Sequence, residues 1–438
     1  MSEFGFGQGF EALQFGSFGG SSEENYGPYI PEARDCISCG VCTGSCPTFK
    51  VRPEENYGPR GRVRMIDRVI NKQERLNEQE LEALESCTLC RSCETVCPSK
   101  MAYSELYLKA VQLIDHQPSP NIATRLVLSQ ADGNTLKFYL ADKLIRFYQW
   151  SGLRQLLNRL PFSPLKGGLR ELESLLPLPY SPQAIADINT AKTTEKQGKV
   201  GLFTGCIANL LDSQTHSATI SLLTQLGYEV QVLKNQTCCG ATYAHNGDLE
   251  QAKTCAVQNL NAFATCELDA IIYNASGCGA FLSEYSTLLK DDETGDLLQE
   301  IPPSIDILEF LSTIKWPEGV ELHELNRSIA VHEPCSQRNV LDNSPSLYSL
   351  LAKIPGLDIT PLQGNEMCCG AGGTKMVTQP ELAHPPRDEK VMALLESKAD
   401  MLISSNLSCA LHLASGIRQA GEDIEVIHPV VLLARQLT

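Results

Sequence analysis

The sequence is poor in the features that would tie it to nucleic acid, to a bilayer span or to a disulfide scaffold. Aromatic residues make up 6% of it, with 2 tryptophans, and basic residues are outnumbered, 36 against 52 acidic, for a net charge of −16. A phosphate backbone would be repelled, so no nucleic-acid partner is expected. No apolar run reaches the roughly 18 to 20 residues of a spanning helix; even 270–282 is interrupted by Asn274, Ser276 and two glycines. The opening Met1-Ser2-Glu3-Phe4 has neither a basic n-region nor an apolar core, so no secretory signal is expected and the location is expected to be cytoplasmic. Flavin and nicotinamide fingerprints are missing, because Gly5-Phe6-Gly7-Gln8-Gly9 follows no strand and its third glycine is misplaced. There is also no Ser-His-Asp elbow and no His-Glu-x-x-His, which leaves nothing evident for oxidising an alcohol.

What is abundant is cysteine, 18 in 438 residues, about 4%, below the share in disulfide scaffolds. In a reducing compartment such a number means metal. A hydrophobic fraction of 42% and a charged fraction of 20% are those of a globular chain of roughly three domains. Residues 1–35 are rich in glycine and phenylalanine and read as a flexible extension. Eight cysteines fall in 36–116, none in 117–198 and ten in 199–438. The expected organisation is therefore a cysteine domain at 36–116, a helical basic connector at 117–198 ending in a polar linker from Ser181 to Lys199, and two repeats at 199–320 and 321–438.

The repeat sets the architecture of the C-terminal half. Its first copy runs Val200-Gly-Leu-Phe-Thr-Gly-Cys206, a helical stretch, strand 228–233, Cys238-Cys239-Gly240, a helix near 247–265, strand 269–275 and Cys278. The second runs Ser328-Ile-Ala-Val-His-Glu-Pro-Cys335, a helix near 344–353, strand 358–362, Cys368-Cys369-Gly370, a helix near 386–398, strand 401–405 and Cys409. Equivalent cysteines are offset by 129, 130 and 131 residues. Strands alternating with helices predict parallel sheets flanked by helices. The fold class is thus α+β and multidomain, a helical two-cluster ferredoxin domain followed by a duplicated α/β domain with parallel sheets.

Cys36-x2-Cys39-x2-Cys42-x3-Cys46-Pro47 recurs as Cys87-x2-Cys90-x2-Cys93-x3-Cys97-Pro98. This is the run of bacterial two-cluster ferredoxins, in which the fourth cysteine of each motif serves the other cluster. The implied assignment gives one [4Fe–4S] cluster Cys36, Cys39, Cys42 and Cys97, and the other Cys87, Cys90, Cys93 and Cys46. Zinc knuckles are the alternative, but zinc has no use for a third cysteine and a Cys-Pro. Between the motifs, Gly58-Pro59-Arg60-Gly61-Arg62 precedes a helical Val63–Asn71; Arg60 and Arg62 are candidates for balancing cluster charge or gripping a partner.

In the repeats, Cys206, Cys238, Cys239 and Cys278, and again Cys335, Cys368, Cys369 and Cys409, are candidate metal ligands. Adjacent cysteines are too constrained for both to face a hydrophobic core, so all are expected on loops after strands, with helix N-termini lowering their pKa values. Cys255 and Cys266 read instead as buried free thiols. His332, three residues before Cys335, is a candidate proton donor, though a capping or core role suits it better; His245 and His412 are weaker candidates.

At these residues the sequence resembles the iron–sulfur subunit family of bacterial glycolate oxidase, over about 36–436. The shared features are the double ferredoxin motif, the two Cys-Cys-Gly repeats, Gly58–Arg62, Ala275–Phe281 with Glu284-Tyr285, and Met367–Ala371. Anaerobic glycerol-3-phosphate dehydrogenase third subunits, D-lactate dehydrogenase partners and heterodisulfide reductase share the plan. The last ends each repeat in Cys-x-x-Cys and cleaves a disulfide; here the first of those positions is Ala275 or Asn406, which speaks against that chemistry.

The resemblance implies an electron-transfer subunit of a 2-hydroxy-acid dehydrogenase whose FAD subunits oxidise the substrate, with two [4Fe–4S] clusters, one or two further clusters in the repeats, and a quinone or other acceptor. A heterodisulfide-type catalyst and a purely structural Cys-Cys-Gly domain are the competing readings. Residues 136–170 carry an apolar stripe of Leu136, Leu140, Leu144 and Phe147, with Tyr139, Tyr148, Trp150 and a local charge of +6 in an acidic chain. Packing on the protein's own acidic domains or on a partner is one expectation for this segment, and peripheral membrane contact is the other.

Overall fold

The computed structural model describes residues 31–72, 74–114, 135–151, 154, 167–178, 185–265, 267–290 and 297–437. The extension before residue 31, Cys266, and Arg159 and Lys166 of the connector lie outside them, as do the side chains of Leu136, Lys137 and Tyr139.

The N-terminal domain is helical. Cys46-Pro47 starts the helix Pro47–Val51, proline taking the N1 position where no N–H is needed. The helix Pro59–Lys72 begins four residues before the expected Val63. Asn77 closes a capping box on Glu78–Glu85, its side chain accepting from the Glu80 N–H and the Glu80 carboxylate accepting from the Asn77 N–H. Met65, Ile66, Ile70, Leu84, Leu106 and Tyr107 fill the core.

Among the described residues, nine strands form two sheets. The first holds β1 (Ile188–Asn189), β2 (Gly198–Phe203), β3 (Tyr228–Val232), β4 (Ala270–Tyr273) and β5 (Ser304–Asp306), in the order β1-β3-β2-β4-β5. The second holds β6 (Ser328–His332), β7 (Asp358–Pro361), β8 (Met401–Ser404) and β9 (Glu425–Ile427), in the order β7-β6-β8-β9. All pairings are parallel except β1 with β3. Continuous apolar strands such as Ala270-Ile271-Ile272-Tyr273, buried throughout, are what sheets covered on both faces require. One core spans the repeats, with Leu202, Leu223 and Ile272 of the first packing into the same cluster as Val331, Leu350 and Leu433 of the second.

Three expectations are corrected. The polar linker contains β1, an edge strand on β3. The helical stretch after Cys206 breaks at Asp212 into Ile207–Leu211 and Ser213–Gln225, since Asp212 leaves the helical region at φ −142°. The helix expected from 386 starts at Pro380 and runs through Pro385 and Pro386 to Ser397; burial of Leu382 and Ala383 outweighs the hydrogen bonds the prolines forfeit.

Candidate metal centres

The two ferredoxin motifs wrap two adjacent cavities. Cys36, Cys39, Cys42 and Cys97 line one, and Cys46, Cys87, Cys90 and Cys93 line the other, with Cys93 and Tyr103 between them bordering both. Each wrap turns left-handed at the same two places, Ser38 and Gly40 in the first, Leu89 and Arg91 in the second, at φ 59°, 82°, 49° and 58°. Non-glycine residues hold that conformation at a cost of about 1 to 3 kcal/mol, and it turns the Leu89 N–H toward Cys87 Sγ at 3.4 Å.

Arg62 is fully buried, and its hydrogen-bond partners are all neutral. Its Nε donates to the Ala83 carbonyl at 2.9 Å, one Nη to Thr48 and Ser86 hydroxyls at 2.9 and 2.7 Å, and the other to Cys46 Sγ at 3.8 Å. A buried cation costs several kcal/mol without a compensating negative charge. A thiolate-ligated cluster beside Cys46 and Cys87 supplies that charge, so the donor set and its counter-ion fit the group. Arg60 is committed to Glu55 in a bidentate pair at 2.6 and 2.8 Å.

All eight thiols of the Cys-Cys-Gly repeats line one chamber of about 640 Å³. Within each copy they touch in series. Cys206 contacts Cys238, which contacts Cys239, which contacts Cys278. In the second copy Cys335 meets Cys368 at 3.9 Å, and Cys369 meets both Cys368 and Cys409. Gly240 and Gly370 explain the motif's third residue. They sit at φ +97° and +87°, where a Cβ would press on the carbonyls of Ala252 and Ala383, and their N–H groups point at Cys238 Sγ and Cys368 Sγ, each at 3.4 Å.

The structure departs here from the sequence reading. Cys238 and Cys239 are both buried, because the chamber wall is itself part of the core. Cys278 and Cys409 lie in the first turns of the helices Ser276–Leu282 and Leu407–Gln419 rather than on loops. The thiols are not generally lowered: a hydrogen bond to the next cysteine and burial push Cys206 and Cys335 well up, whereas Cys368 is lowered by the bond from Cys335. Cys255 is buried in the helix Leu249–Ala264, as expected for a free thiol. His332 is buried with Nδ1 3.0 Å from Ser404 Oγ, His412 bonds the Ala383 carbonyl at 3.1 Å, and His245 lines the chamber. Ala275 and Asn406 line it too; Asn406 caps the Leu407 helix by accepting from the Ser408 N–H.

How the modules join is visible only in the fold. The Cys90 thiol lies against Cys368, so the second ferredoxin cavity abuts the second repeat. Asn339 Nδ2 donates to the Cys90 carbonyl at 2.6 Å and to Ser92 Oγ at 3.1 Å. Arg91 pairs with Glu284 of the first repeat, and Lys50 with Glu389 at 2.6 Å. Aliphatic side chains also line the chamber, among them Leu144 and Ile145 of the helix Thr135–Trp150 and Leu172 and Leu175 of Gly168–Leu175.

Fold and donor sets together define an iron–sulfur electron-transport protein, a dicluster ferredoxin module fused to a duplicated cysteine-rich α/β domain. Residues 32–101 match the 4Fe-4S dicluster domain family, and 200–283 and 329–414 each match the cysteine-rich CCG domain family. The chain is a homologue of the glycolate oxidase iron–sulfur subunits. It is 29% identical over 408 residues to the probable glycolate oxidase iron–sulfur subunit of Bacillus subtilis, covering 89% of this chain and 90% of that one. To the glycolate oxidase iron–sulfur subunit of Escherichia coli it is 29% identical over 400 residues, covering 88% and 90%. Lactate utilization protein A of Geobacillus thermodenitrificans matches at 29% over 232 residues, 52% of this chain and 96% of that one.

Proposed function

We propose that the chain is the iron–sulfur electron-transfer subunit of a flavin-dependent 2-hydroxy-acid dehydrogenase of the glycolate oxidase type, serving FAD-containing partner subunits and delivering electrons toward a quinone. In this reading Cys36, Cys39, Cys42 and Cys97 hold one [4Fe–4S] cluster, Cys46, Cys87, Cys90 and Cys93 the second, and the two Cys-Cys-Gly sets hold further iron–sulfur centres. Bound there, such clusters supply one-electron transfer. The protein's part is to hold the sulfurs, to balance their charge through Arg62, and to keep the modules in register through Asn339 and Arg91.

The observation that carries the reading is the contact between Cys90 and Cys368, which joins the thiol sets of the two modules. A lipophilic acceptor suits the aliphatic side of the chamber, and the Thr135–Trp150 helix forms part of that wall while leaving Phe147 and Trp150 68% and 65% exposed. This supports peripheral contact with a membrane. Arg154 does not contribute, being tied to Glu173 at 2.9 Å and to the Pro177 carbonyl. No helix among the described residues is long and apolar enough to cross a membrane. The likeness to lactate utilization protein A favours lactate as the second candidate substrate.

Anaerobic purification of the native complex, with iron, acid-labile sulfide and flavin counted and glycolate and lactate compared as reductants, tests the reading. More than about eight irons per chain with a flavoprotein in tow supports it. Iron confined to 36–116, or a chain that purifies without a flavoprotein, contradicts it.

A further inference from the structure

The two repeats are not chemically equivalent, and the difference lies at the strand ends above the thiols. In the first sheet the paired residues at the ends of β2 and β4 are Phe203 and Tyr273; in the second, the same register of β6 and β8 pairs His332 with Ser404. Phe203 and Tyr273 are ordinary members of the hydrophobic core, so the fold accepts apolar rings at these positions. The second repeat instead carries an imidazole and a hydroxyl, each 1% exposed, where polar groups are costly unless they have something to bind. A ring nitrogen of His332 and the sulfurs of Cys369 and Cys409 all lie within 4.8 Å of one another.

We propose that His332 is a metal ligand of the second repeat, which makes that centre a mixed nitrogen and sulfur site while the first remains all sulfur. The proposal rests on the reading that the Cys-Cys-Gly sets hold iron–sulfur centres. A ligating histidine gives one nitrogen to the metal and the other to a hydrogen-bond partner that fixes the ring. Ser404 Oγ, 3.0 Å from Nδ1, is that partner, and Nε2 is then the ligand atom. Both copies keep four thiols, so the imidazole is a fifth donor in the second set and brings no negative charge with it.

The test uses the full-length protein, purified anaerobically from a histidine auxotroph fed either natural or ¹⁵N-labelled histidine, and examined by pulsed EPR in its paramagnetic states. A metal-bound nitrogen coupling that changes with the label and is lost in His332→Phe, the residue native to this position in the first copy, supports the assignment. An iron-loaded protein with no histidine coupling overturns it, and so does a coupling that survives His332→Phe. His245→Phe removes the histidine that lines the chamber; a coupling lost in that variant, where His332 is intact, also overturns it. Should His332→Phe fail to fold, the labelled wild-type protein and His245→Phe decide between these outcomes. An iron count that reaches only the two ferredoxin cubes defeats the underlying reading as well, and is distinguished from the other failures by the count itself.

Discussion

Replacing Arg62 by methionine should lower the reduction potential of the cluster beside Cys46 while leaving the fold standing. Methionine is nearly as long and carries no charge. The hydroxyls it would abandon keep other partners, Thr48 donating to the Tyr57 carbonyl at 2.8 Å and Ser86 to the Ala83 carbonyl at 2.7 Å. Lost charged hydrogen bonds, each about 1.5 to 3 kcal/mol, are largely offset by relief of a burial cost of several kcal/mol. The electrostatic change is not offset. At the 3.8 Å between Nη1 and Cys46 Sγ, a unit charge in an effective dielectric of about 20 is worth roughly 4 kcal/mol, or about 190 mV for one electron. Spread over a cluster whose charge lies farther off, roughly 100 mV remains. The lost cation no longer favours the added electron, so the midpoint moves negative. Redox titration followed by EPR measures it, with iron content as the control. Arg60→Gln serves as the comparison, since Glu55 already neutralises Arg60, and its shift should be less than about half as large. A folded, iron-loaded Arg62→Met protein whose midpoint stays within about 30 mV of wild type would refute the argument.

Three further outcomes are expected. Cys97→Ser should damage the cluster of Cys36, Cys39 and Cys42, read as loss of one EPR component; selective loss of the cluster of Cys87, Cys90 and Cys93 would show the interleaved ligation to be wrong. Gly370→Ala should cost roughly 2 to 4 kcal/mol by thermal melt and reduce iron in the second repeat, because the left-handed backbone is strained and Ala383 stands in the way; Gly319→Ala, at φ +86° with open space around it, should cost only about 1 kcal/mol. Burial lowers His216 and His428 each to about 4. Folded-state values below the unfolded one mean that the unfolded chain takes up protons first, so stability falls as pH drops below about 6.5, by up to about 3 kcal/mol per histidine near pH 4. Asp306, raised to about 7 by burial, works in the opposite direction, gaining stability as pH falls. Urea titrations between pH 7 and 5 should therefore show a shallower acid limb in His428→Gln than in wild type, and an unchanged slope would count against the assignment.

The parts legible in the sequence were those governed by local spacing. The double Cys-Pro run, the register of the two Cys-Cys-Gly copies and the apolar strands between them suffice for two parallel sheets and a helical ferredoxin module. What spacing does not encode is which surfaces meet. Nothing in the sequence around Cys90 points to Cys368, and Asn339 is an unremarkable residue until the fold lays it against the Cys90 carbonyl. Burial was misjudged for the same reason: Cys238 and Cys239 both fall inside because the chamber wall and the core are one layer. The helix expected near 386–398 starts earlier, at Pro380, because burial of Leu382 and Ala383 outweighs the hydrogen bonds its internal prolines forfeit. His332 stood out only as a histidine near a cysteine, and its contrast with Phe203 needed the strand register.

The most direct test of the account is rapid-freeze-quench EPR of the native flavoprotein complex mixed anaerobically with glycolate or lactate. The account predicts that signals of the ferredoxin clusters and then of the Cys-Cys-Gly centres grow in within a single turnover. Turnover supported by a dye that leaves every iron–sulfur signal of this chain unchanged would contradict it.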